Sequence, residues 1–193
     1  MTLRKWMYLF FTTLLVGGAA SVIAAAGLYI FDRQLDFWGT LLFNIGAGFM
    51  FSVLSQMGFF AYLALNYIAK GFIRRRELWQ VLQWILIIIA VVDAVYLRWL
   101  AADEGRAFAE FLVLPACLLA GSLLTALWKS KLTNKHSFTP TVFFMFVATL
   151  LETVPALRED QASAIWFMIV PLFFCNAWQI LNLHKLVDAS KEN

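Results

Sequence analysis

Charge is scarce in this chain, and that scarcity limits what class of protein it can be. Of 193 residues, 14% are charged and 62% are hydrophobic. An ordinary soluble domain is about 25% charged and about 45–50% apolar. No stretch remains from which to build a soluble catalytic or nucleic-acid-binding domain. Reactive side chains are also few, with two cysteines and two histidines. Cys117 and Cys175 sit near the middle of apolar runs. A disulfide framework needs thiols in an oxidising aqueous space, so both read as small buried hydrophobes. His136 and His184 lack metal-ligand spacing. Nothing resembles a nucleophile with its base, a phosphate loop, a zinc helix or a dinucleotide fingerprint. The expectation is a protein with no catalytic residues, no metal and no cofactor, and not an enzyme.

What is present is six long apolar runs joined by short loops. Runs of about 18–25 residues, rising ~1.5 Å per residue, cover the ~30 Å hydrocarbon core of a bilayer. The expected fold class is all-α: one polytopic membrane domain over 1–193. Its six transmembrane helices fall near 6–30, 38–68, 78–100, 107–128, 140–157 and 162–183. Arg4, Lys5 and the Ala24–Ala26 pair imitate a cleaved signal peptide, but the first run exceeds the usual 7–15-residue apolar region. An uncleaved anchor is the expectation. Thr139-Pro140 suits a helix start. Pro115, Pro155 and Pro171 are expected to kink their helices.

The cations sort by side of the membrane. Eleven of the fifteen Lys and Arg fall on one set of segments: Arg4, Lys5, Lys70, Arg74, Arg75, Arg76, Lys129, Lys131, Lys135, Lys185 and Lys191. The other set holds Arg33, Arg98, Arg106 and Arg158. The positive-inside rule then places both termini in the cytoplasm. Trp6, Tyr67, Trp79 and Trp128 mark the inner interface, and Tyr29, Trp38, Trp99 and Trp166 the outer. The net charge of +3 could suggest an acidic partner, but this sorting argues otherwise. There is no basic face for nucleic acid, and the plasma membrane is the expected location.

Three acidic residues lie inside the runs. Counted from the outer ends at ~1.5 Å per residue, Asp93 is ~10 Å deep, Glu152 ~8 Å and Glu110 ~5 Å. A carboxylate at a helix centre costs about 2.5–3.5 kcal/mol on insertion scales, and less toward the interface. Such groups usually face a protein interior or a wet cavity. Glu110 is four residues after Arg106, which fits a surface ion pair. Asp93 and Arg98 are about 140° apart on their helix, so Asp93 needs another partner while Arg98 snorkels outward. Asp93, Glu152, Glu110 and Arg98 form the candidate buried polar site; buried structural polar groups are the plainer reading. Gly48, Ser52, Ser55 and Gly58 form a small-residue face for helix contact. Asn66, Gln80, Gln83, Asn176, Gln179 and Asn182 suit interhelical hydrogen bonds. Arg74, Arg75 and Arg76 read most simply as a headgroup anchor, or as a docking site for a cytoplasmic partner.

The opening RKWMYLFFTTLLVGG, the second-run stretch FSVLSQMGFFAYLALN and the following RRRELWQVLQ resemble the KinB-signalling-pathway activation family (KbaA) of spore-forming Firmicutes. Length and six-span layout match over essentially the whole chain, most strongly at Ser55, Gln56, Met57, Gly58, Phe59 and Phe60. The resemblance implies an integral membrane protein that promotes the activity of a membrane sensor kinase, KinB, in the pathway to sporulation. It brings no catalytic residue with it. Such a chain can act on a kinase only by binding one of its states better than another. The competing reading is a small-molecule carrier or ligand-sensing bundle, drawn from the buried acids and the prolines within spans. A structural membrane-assembly protein is a third.

Overall fold

A segment that enters hydrocarbon finds no water for its N–H and C=O groups, so it satisfies them within itself by coiling into a helix. The structure, a computed structural model, describes residues 3–31, 37–73, 75–101, 108–159 and 161–188. It is all-helical there. The helices are α1 (Leu3–Phe31), α2 (Leu41–Phe72), α3 (Arg76–Ala101), α4 (Phe108–Leu132), α5 (Phe138–Phe143), α6 (Thr149–Glu159) and α7 (Ala162–Asp188). A 3₁₀ turn, Lys135–Ser137, leads into α5. A π-helical turn, Phe144–Ala148, joins α5 to α6. Among the described residues, six helical stretches are long and apolar enough to cross a membrane, the fifth being Lys135–Arg158.

These stretches coincide with the six expected runs, with shifted ends. The second begins at Leu41 rather than 38, because Phe37–Thr40 forms a turn. The fifth begins before the expected 140, because the 3₁₀ turn precedes it and the Thr141 hydroxyl donates back to the Ser137 carbonyl at 2.7 Å. Pro140 lies in the first turn of α5, where its missing N–H has no intrahelical acceptor to lose. α4 runs on through Pro115 and α7 through Pro171. The irregular backbone of the fifth span lies instead at the π turn, upstream of Pro155.

The chain divides into two compact units, residues Met1–Met57 with Ala162–Asn193, and Gly58–Gln161. In the first, α1 packs along α7, and the first half of α2 closes on both. Thr13, Gly17 and Ser21 of α1 and Asn44, Gly48 and Ser52 of α2 are all buried. Each set recurs every four residues, so each forms one stripe on its helix. A side chain at Gly17 would run into the Ser52 hydroxyl and come within 2.6 Å of the Gly48 carbonyl. One at Gly48 would strike Ser21 and the Gly17 backbone. The absence of both side chains lets the backbones meet.

The second unit is built from the rest of α2, α3, α4, α5, the π turn and α6. Its core is aromatic: Phe59, Phe144, Met145 and Phe146 are fully buried. Phe59 meets Phe144 edge-on at 5.6 Å between ring centroids, and Tyr62 lies 4.9 Å from Phe144. The Tyr62 hydroxyl donates to the Pro140 carbonyl at 3.3 Å, which ties α2 to the first turn of α5.

The glycine contact is open to direct test. Gly17→Leu or Gly48→Leu is expected to destabilise the purified protein by about 1–3 kcal/mol through overpacking, read as a lowered unfolding midpoint in detergent. Gly46→Leu, which meets open space, should not lower the midpoint and, as leucine is the better helix former, should raise it slightly.

Candidate functional site

The predicted helix-contact face divides between the two units. Gly48, Ser52 and Ser55 turn inward in the first. The Ser52 hydroxyl sits 2.8 Å from its own Gly48 carbonyl, 3.1 Å from the Thr13 carbonyl and 3.5 Å from the Cys175 thiol. Ser21 donates across to the Asn44 carbonyl at 2.8 Å. Ser55 donates to Asn176 Oδ1 at 2.8 Å and accepts from Gln179 Nε2 at 2.6 Å. Asn176 and Gln179 are three apart on α7, so both amides reach the same hydroxyl. This face is therefore occupied by α1 and α7 of the same chain.

Gly58 belongs to the second unit and stands against Glu152. A Cβ there would overlap the Glu152 carboxylate. Glu152 is 9% exposed, on α6 one turn beyond the π turn. Beside it lies a cavity of about 330 Å³ lined by Gly58, Tyr62, Phe144, Val147, Leu151 and Glu152, among others. Its walls are apolar apart from the carboxylate and the tyrosine. π turns occur often at functional sites, and here the turn supplies part of the wall.

The other members of the expected buried polar site lie elsewhere. Asp93 and Glu110 are exposed, so the four residues do not form one buried cluster. The reason is rotational. On α3 the buried positions are Trp79, Gln83, Ile87 and Ala94, and Asp93 is rotated about 100° from Ala94. It falls on a stripe with Ile85, Ile89, Tyr96 and Leu100, all exposed. Arg98 is half-buried rather than fully snorkelled: its guanidinium donates to the Glu110 carbonyl at 3.2 Å and stands 6.0 Å over the Phe111 ring, within cation–π range. Arg106, the expected ion-pair partner of Glu110, lies outside the described residues.

Of the basic run, Arg75 and Arg76 are exposed and Arg74 lies outside the described residues. The amides behave unevenly. Asn66 accepts from the Trp79 indole at 3.2 Å, whereas Asn182 donates to its own helix. Gln83 is fully buried, and among the described residues its amide has no hydrogen-bond partner. Lys129, expected at the cytoplasmic interface, is 5% exposed.

Residues 10–186 match the family described as KbaA, KinB-signalling pathway activation in sporulation. The chain belongs to this family. It is 36% identical to the KinB-signaling pathway activation protein of Bacillus subtilis (strain 168) over 191 residues, covering 94% of this chain and 96% of that one. No solved structure matches. Within this KbaA-family fold, the small-residue seam of the first unit is packing. The features that reach outward are the Glu152 cavity, the Asp93 stripe and the basic end of α2 and α3.

The Gly58–Glu152 contact predicts a coupled pair. Gly58→Leu alone should destabilise the protein by about 1 kcal/mol, because the carboxylate can give way only by swinging toward the adjoining cavity. Adding Glu152→Ala should recover part of that loss. A double-mutant cycle in detergent is expected to give a coupling of at least about 0.5 kcal/mol; additive losses would mean that the two side chains do not share this space.

Proposed function

We propose that this chain is a plasma-membrane protein with six spans and both termini in the cytoplasm, and that it activates a KinB-type sensor kinase on the way to sporulation. Membership of the KbaA family over residues 10–186 carries the reading. The eleven-to-four sorting of cations supports the orientation. On this reading the protein is not an enzyme; it acts by contact with the kinase.

Because Gly48, Ser52 and Ser55 are used internally, the contact belongs on an exposed face. The α3 stripe around Asp93 is the best supported. A carboxylate held in lipid is costly, and its exposed neighbours Ile85 and Ile89 offer it no donor. A kinase helix carrying a hydrogen-bond donor or cation at the same depth would relieve that cost. If the donor reaches that depth in one kinase state only, binding shifts the kinase equilibrium toward it.

A ligand-sensing bundle is the second reading, favoured by the Glu152 cavity. A single carboxylate in an apolar pocket suits an amine or other organic cation. The two readings separate by residue. In cells depending on this protein, Asp93→Leu, which removes the acceptor, should lower kinase-dependent sporulation output at least about threefold, the worth of an average ~0.6 kcal/mol hydrogen bond between membrane helices, with protein abundance unchanged. Glu152→Gln should leave output intact on the contact reading and abolish it on the ligand reading. Crosslinking from native membranes should recover the kinase with the unaltered chain and less of it with Asp93→Leu.

The orientation has its own test. In a Cys117→Ala chain, a cysteine at Asp36 should label from outside intact cells and one at Lys131 only after permeabilisation. The opposite pattern would reverse the protein.

A further inference from the structure

The geometry points to a phosphate-binding pocket at the junction of α2 and α3, with Lys70 and Arg76 as its cationic walls. A cavity of about 370 Å³ lies there, lined by Asn66, Lys70, Arg76, Trp79, Gln80 and Pro140. It belongs wholly to the second unit. Among the described residues neither Lys70 nor Arg76 makes an ion pair, and no acidic side chain lines the cavity; Glu77, next in the chain, is exposed and outside it. The amides of Asn66 and Gln80 add hydrogen-bonding groups, and the Trp79 indole, bonded to Asn66, fixes one wall.

Lys70 alone would be unremarked. It sits in the last turn of α2, where a cation complements the helix dipole. Arg76 has no such excuse. It begins α3, at the positive end of the dipole, where a cation is disfavoured. Two cations unpaired among the described residues and a positive helix end therefore converge on one cavity, and a phosphate would neutralise all three. The phosphate can come from an anionic lipid headgroup or from solution. The lipid source rests on the membrane reading above, and neither source depends on the kinase.

The test uses the purified full chain in neutral detergent at low salt. It is titrated with dioleoylphosphatidylglycerol, with inorganic phosphate and with zwitterionic phosphatidylcholine, and the unfolding midpoint is followed. Phosphatidylglycerol or phosphate should stabilise the protein and phosphatidylcholine should not. Lys70→Gln and Arg76→Gln should each weaken binding about fivefold, the worth of one cation near an anionic surface. Lys131→Gln, outside the cavity, should not. Stabilisation by the lipid alone assigns a headgroup; stabilisation by inorganic phosphate, competing with the lipid, assigns a soluble phosphate. The proposal is overturned if the double variant binds both probes as the unaltered chain does. Should a variant unfold, the unaltered chain decides: binding unaffected by 0.5 M salt, on the order of full screening at this range, overturns it equally.

Discussion

The Gly17–Gly48 contact is the point on which the first unit depends. On the membrane reading there is no hydrophobic gain from joining two apolar helices, because lipid tails are as apolar as leucine side chains. Association must come from close packing and from hydrogen bonds. Two glycines opposite one another allow the approach, and only at that distance does the Ser52 hydroxyl of α2 come within 3.1 Å of a carbonyl on α1. The same approach brings Ser21 to the Asn44 carbonyl. Those carbonyls are already used by their own helices, so each serine adds a bond without breaking one. Ser55, Asn176 and Gln179 extend the same logic to α7, where an amide pair three residues apart converges on one hydroxyl.

The second unit solves the problem differently. Its interior is filled by Phe59, Phe144, Met145 and Phe146. Aromatic rings reach across a wider gap, and their edge-on contacts give some direction to an otherwise nonspecific core. One glycine matters there, Gly58, because it leaves room for a buried carboxylate. A residue that serves close helix approach in one unit serves ligand-sized space in the other.

Length and hydropathy made the six helices legible from sequence, since crossing hydrocarbon sets a minimum run that loops rarely imitate. The inner amides were legible as a type: Asn66, Asn176 and Gln179 do bond between helices. What the sequence could not give is rotation about each helix axis. In a helix with one polar face the apolar stripe marks the buried side, but here buried and exposed faces are both apolar, so the stripe carries little information. Asp93 illustrates the cost. Its depth could be counted, but its direction could not, and it proved exposed rather than gathered with Glu152. The π turn at Phe144–Ala148 was equally hidden, because its residues are ordinary helix formers in a membrane and the proline that drew attention, Pro155, lies downstream. Lys129 reads as an interface cation from its position and is buried instead.

On the contact reading, the exposed position of Asp93 becomes the informative one. A group that costs free energy in lipid is a liability in the isolated protein and an asset in a complex, because the cost is removed only when a donor arrives. Depth then acts as a filter. One helical turn is about 5.4 Å of rise, well beyond hydrogen-bond reach, so a partner helix that slides by one turn between two signalling states makes the bond in one and loses it in the other. Apolar neighbours such as Ile85 and Ile89 contact both registers with similar energy and contribute affinity without preference. A lone polar group on an apolar stripe separates these roles: the stripe holds the partner, and the carboxylate decides which of its states is held. Activation requires that difference, since tight binding to both states would leave the kinase where it was.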